Sequence, residues 1–111
     1  ETKKMIAEMQ KLSSGDFLEG AAALLGYESQ VSEIAKLKMD GLKKHYGMKD
    51  ARALEFFKVH SKVDIELQKT WKKMIAKHAR TKGQKARVRK SLNRSMNAMW
   101  TMLDGIYREY C

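Results

Sequence analysis

The sequence predicts an all-α protein, a helical bundle without strands. Three observations carry this. The 111 residues contain no proline, so no ring forces a helix to stop. Leu, Ala, Lys and Met, all good helix formers, are abundant. Apolar residues recur at three- and four-residue steps and nowhere alternate as a half-buried strand requires.

Four helices are predicted in order. The first spans about Thr2 to Leu12, with Met5, Ile6, Met9 and Leu12 on one face. Ser13-Ser14-Gly15-Asp16 breaks it. Asp16 then caps the second helix, and Glu19 stands at the capping-box distance. That helix runs to about Tyr46 and carries Phe17, Leu24, Val31, Ile34, Leu37 and Leu42 as its apolar positions. Gly20 or Gly26 inside it marks a kink or a close approach of another helix. Gly47 suits a C-terminal cap. Asp50 caps a third helix through Leu54, Phe57, Val63 and Trp71 towards Ala79. Thr81-Lys82-Gly83-Gln84 is read as the next break. The fourth helix places Val88, Leu92, Met96, Met99, Leu103, Ile106 and Tyr110 on one face, and Arg87, Lys90 and Arg94 mostly on the other.

A chain of this length implies one all-helical domain over residues 1–111, or the C-terminal half of a larger fold. It can bury roughly 65 % of its unfolded surface. No run of about 18 apolar residues appears, so no membrane span is expected. The lone cysteine, Cys111, excludes an internal disulfide framework and fits an intracellular, reducing compartment, either cytoplasm or mitochondrial matrix. The first residue is Glu1 rather than Met, so an upstream piece is expected to have been cleaved or left out.

Three residues stand out chemically. His60 and Asp64 are four apart on one helix and point to one side. Glu28 lies in an apolar stretch, where a carboxylate must be paired, solvated or bound to metal. Oxygen and imidazole ligands from facing helices are how bundles hold iron or manganese. The bland alternative is a surface glutamate and a local His–Asp contact.

The order of residues says more. Gly26-Tyr27-Glu28-Ser29-Gln30-Val31, then Lys38, Gly41-Leu42-Lys43-Lys44 and Tyr46-Gly47, then Phe56-Phe57-Lys58-Val59-His60 with Asp64, resemble the TenA/PqqC-like group of the heme-oxygenase fold. Within that group the resemblance is to the chlamydial protein associating with death domains and its bacterial relatives. Met99-Trp100-Thr101-Met102-Leu103-Asp104-Gly105 fits the same pattern, so the resemblance covers about residues 16 to 106. It implies a bundle about twice this length, a dimetal centre, and oxidase chemistry linked to para-aminobenzoate synthesis. It implies that Glu28, His60 and Asp64 are metal ligands. It also implies that Tyr27 and Lys38 occupy the positions that supply the product's ring and amino nitrogen. A lysine beside a metal could serve so, since burial disfavours the protonated amine; the commoner fate is a solvated lysine.

Two departures follow from the resemblance. The family pattern His-x-x-x-Asp-x-x-His ends here on Leu67, which cannot ligate a metal. The ligands expected from an N-terminal half are also absent, so three of the six implied ligands are missing. Missing ligands weaken a metal site.

The net charge of +10 has a local source. Gln68 to Arg94 holds eleven Lys/Arg and no acid, while the remainder holds twelve basic and thirteen acidic residues. Lys72, Lys73, Lys77, Arg80, Lys82, Lys85, Arg87, Arg89, Lys90 and Arg94 are therefore candidates for binding RNA or an acidic protein surface. The segment has one aromatic, Trp71, and no nucleic-acid motif, so backbone or shape recognition is expected rather than base reading. The alternative is a solvated charged face.

Together these readings favour a catalytically degenerate relative of the heme-oxygenase-like oxidases. It would carry no cofactor and serve as a structural or interaction subunit in a larger assembly or oligomer. The rival reading is an active dimetal oxidase that holds iron or manganese.

Overall fold

The computed structural model describes all residues, 1–111. It has four helices and no strand: α1 (Thr2–Ser13), α2 (Phe17–Tyr46), α3 (Ala51–His78) and α4 (Lys82–Tyr110). No helix is long and apolar enough to cross a membrane.

The helix ends follow local chemistry. Asp16 and Glu19 form a reciprocal box at the start of α2: the Glu19 amide donates to Asp16 Oδ1 at 2.9 Å, and the Asp16 amide donates to Glu19 Oε2 at 3.3 Å. Gly47 ends α2 with φ +61°, a left-handed conformation that costs glycine nothing. Asp50 accepts the Arg52 amide at 3.0 Å and opens α3. Residues 82–84, read from the sequence as a break, are instead the first turn of α4. Thr81 is its N-cap and Gln84 closes a capping box, so Gly83 is carried inside the helix.

The chain packs as two compact units. One comprises Glu1–Tyr27 and Trp71–Cys111. Its core is Leu18, Ala21, Ala22 and Leu25 of α2 with Ile75 and Ala79, and Trp71, Val88 and Leu92 pack against it. Each buried leucine contributes about 2 kcal/mol, whereas the alanines mainly allow close approach. Ser91 and Ser95, not the larger apolar residues, are the most buried side chains of α4. Ser95 Oγ donates to the Ala23 carbonyl at 2.7 Å. A Cβ on Gly26 would stand 2.9 Å from the Leu92 carbonyl oxygen, so this glycine serves close approach. α1 packs on α4, with Leu12 buried and Glu8 paired to Arg94.

The second unit, Glu28–Thr70, holds the remainder of α2, the Gly47–Asp50 turn and most of α3. Ala35, Leu54, Ser61 and Asp64 are its buried residues. Several apolar side chains that the sequence places on these helices are exposed: Phe17 and Leu24 in the first unit, Leu37 and Val63 here, and Leu103, Ile106 and Tyr110 on the last turns of α4. Helical spacing identifies an apolar face but not what covers it.

Candidate metal centre

The candidate ligands belong to the second unit. α3 carries His60, Asp64 and Gln68 at successive four-residue steps, which puts them on one face. α2 carries Glu28. Gln68 Nε2 donates to the Glu28 carbonyl at 2.9 Å and so ties the α3 face to this point of α2. Sequence reasoning missed Gln68; its spacing from His60 and Asp64 was the available signal.

Asp64 is 2 % exposed, yet it is a carboxylate. Its partner is His60, whose Nδ1 lies 3.3 Å from each carboxylate oxygen. This contact favours the Nδ1–H tautomer and leaves Nε2 as the nitrogen able to ligate a metal. The Phe56 ring lies against the imidazole, with centroids 4.3 Å apart. Glu28 is half-buried, and its carboxyl is pushed above the usual carboxylate range. Burial is the main cause and the negative charge of Asp64 the second, with His60 opposing both. A cation would satisfy the Glu28 carboxylate in this poorly solvated place beside Asp64.

The donor set therefore fits iron or manganese in kind: two carboxylates and an imidazole. It does not form a complete cage. No group of three His, Cys, Asp or Glu side chains is arranged to hold a metal ion. Leu67 is 38 % exposed on α3, three residues beyond Asp64, and offers no lone pair. Lys38 is exposed on α2. Tyr27, the last residue of its segment in the other unit, is partly exposed.

The basic segment is less uniform than its sequence suggests. Arg87 is paired with Asp16, Arg94 with Glu8, and Lys69 with Glu66 at 2.7 Å. Lys72, Lys73, Lys77, Arg80, Lys82, Lys85, Arg89 and Lys90 are exposed and form no ion pair.

Comparison with known proteins places these residues in a family context. A family described as iron-containing redox enzyme matches residues 1–100. The 4-aminobenzoate synthase of Nitrosomonas europaea is 42 % identical over 113 aligned residues, covering all of this chain and 46 % of that protein. The 4-aminobenzoate synthase of Chlamydia trachomatis is 32 % identical over 74 residues, covering 66 % of this chain and 32 % of that protein. The enzyme of that name from Chlamydia muridarum is 32 % identical over 74 residues. The chain thus spans at most about half the length of these relatives. No solved structure gives a significant match.

Proposed function

The chain belongs to the iron-containing redox enzyme family, and from that premise we propose that it carries part of the metal centre of an oxygen-activating oxidase that forms 4-aminobenzoate. The observation that carries this is the likeness to the Nitrosomonas synthase over the whole of the chain. It favours the oxidase over a degenerate, RNA-contacting subunit. The expectation of a protein without a cofactor likewise gives way to iron, the metal in the family's description.

Glu28, His60 and Asp64 are the residues that would hold iron or manganese. Bound there, the metal supplies one-electron chemistry with dioxygen. The protein's own part is preparation. Asp64 fixes the imidazole so that Nε2 is presented. Glu28 and Asp64 place negative charge where water solvates it poorly, which favours a divalent ion. Gln68 fixes the backbone that carries Glu28. Lys38 and Tyr27 are the proposed sources of the amino nitrogen and the ring, on the strength of the resemblance alone.

The test is anaerobic reconstitution with Fe²⁺ or Mn²⁺, followed by metal analysis, then exposure to oxygen with mass-spectrometric detection of 4-aminobenzoate. Stoichiometric metal that is lost in Glu28→Gln and Asp64→Asn supports the ligand assignment. A wild-type chain that retains neither metal refutes it.

A further inference from the structure

An open groove of about 760 Å³ lies in the first unit, between the last turns of α3 and the first turns of α4. Its floor is aliphatic, with Leu25, Ile75 and Val88 its largest members. Lys72, Arg80, Lys85 and Arg89 also line it, and no acid does. These four cations form no ion pair, whereas Arg87 and Arg94 of the same segment are neutralised by Asp16 and Glu8. The unpaired charge of the segment is thus in part gathered round an apolar floor.

An occupant of such a groove must bring apolar surface to the floor and negative charge to its margins. Anything else leaves cations partly desolvated without a partner. Nucleic acid meets the second need but not the first, since the lining has no aromatic on which a base could stack. A small aliphatic anion meets both, but the groove is open, and small-molecule sites bury about 70–90 % of their ligand. Four separated cations also exceed what one anionic head requires. An amphipathic helix with an apolar stripe flanked by carboxylates meets both needs and tolerates an open groove. The lining runs from Lys72 to Ala76 on α3, through Ala79 and Arg80 beyond its end, to Lys85, Val88 and Arg89 on α4, so it offers anchors along more than one element. A second copy of this chain cannot supply the occupant, because none of its four helices carries net negative charge. We propose that this groove docks an acidic amphipathic helix of another protein.

The probe is a fluorescent peptide of about four turns with leucines on one face and glutamates on the other, titrated into the whole chain by anisotropy. Its scrambled isomer, a single-stranded RNA and decanoate serve as comparison arms. The amphipathic peptide is expected to bind saturably, about tenfold tighter than its scramble. The double variant Arg80→Glu/Arg89→Glu should weaken it about tenfold or more, while Lys43→Glu/Lys44→Glu, an equal charge change on α2 outside the groove, should alter it less than about threefold. The proposal is overturned by absent binding, by a scramble that binds equally, or by equal effects of the two double variants, which would mean diffuse charge attraction. It is equally overturned if RNA or decanoate binds more tightly than the peptide and displaces it.

Discussion

If Glu28, His60 and Asp64 hold the metal as proposed, Leu67 is the position that limits how well the chain can hold it. It stands three residues beyond Asp64 and seven beyond His60, on the side of α3 that the family resemblance assigns to a further ligand. It is 38 % exposed, so a histidine there keeps part of its ring in solvent while adding a donor. Leu67→His should tighten Fe²⁺ or Mn²⁺ binding about tenfold, measured by competition with a calibrated chelator; unchanged affinity would show that Leu67 does not face the ions. The sequence made this residue legible because it breaks a spaced pattern of side chains. His60 and Asp64 were legible as neighbours for the same reason, and their contact is present. That His60 Nδ1 stands equally far from both Asp64 oxygens was not legible, since spacing gives the neighbours and not the geometry of their contact. Gln68 was invisible because its target is a backbone carbonyl.

Helices two and three were legible nearly to the residue because their ends are written in local chemistry, Asp16 with Glu19, Gly47 and Asp50. The fourth helix was misread at its start because Thr81 and Gly83 look like a loop when the Gln84 partner is overlooked. Thr81→Ala should therefore cost about 1 kcal/mol in urea unfolding. The packing of α2 on α4 at Gly26 was only half legible. Gly26 signals either a kink or a crossing, and Ser91 and Ser95 look like surface residues in an amphipathic pattern. They are buried because a larger side chain would hold the helices apart, and Ser95 satisfies its hydroxyl on Ala23. A methyl at Gly26 would press on the Leu92 backbone, which cannot move as a side chain can. Gly26→Ala should cost about 1–3 kcal/mol, read from the urea midpoint. Periodicity failed more broadly for Leu37, Val63 and Leu103, which sit on apolar faces that the rest of this chain covers only in part.

Charge acts on the molecule as a whole. With a formal net charge of +10, the chain repels itself at neutral pH, and protonating its carboxylates in acid raises that repulsion further. Acid therefore weakens the fold through the general field and through particular pairs, and one pair can be separated from the field. Glu8 on α1 is held below its usual value of 4.5, first by the hydrogen bond from Arg94 on α4 and then by that residue's positive charge, with burial opposing. A carboxylate bound more tightly as the anion in the folded state contributes its stability above the unfolded value. It loses that stability as the pH falls through the lower folded value. The pair is only partly buried and still meets solvent, so its worth at pH 7 is about 0.5 kcal/mol. Glu8→Gln should thus be less stable than wild type by that amount at pH 7. The difference should shrink once the pH drops below about 4.5 and vanish when Glu8 is protonated in both states. Paired urea titrations at pH 7 and at successively lower pH would measure it. A difference that stays constant into acid would assign the loss to the packing of α1 on α4 and not to the ion pair.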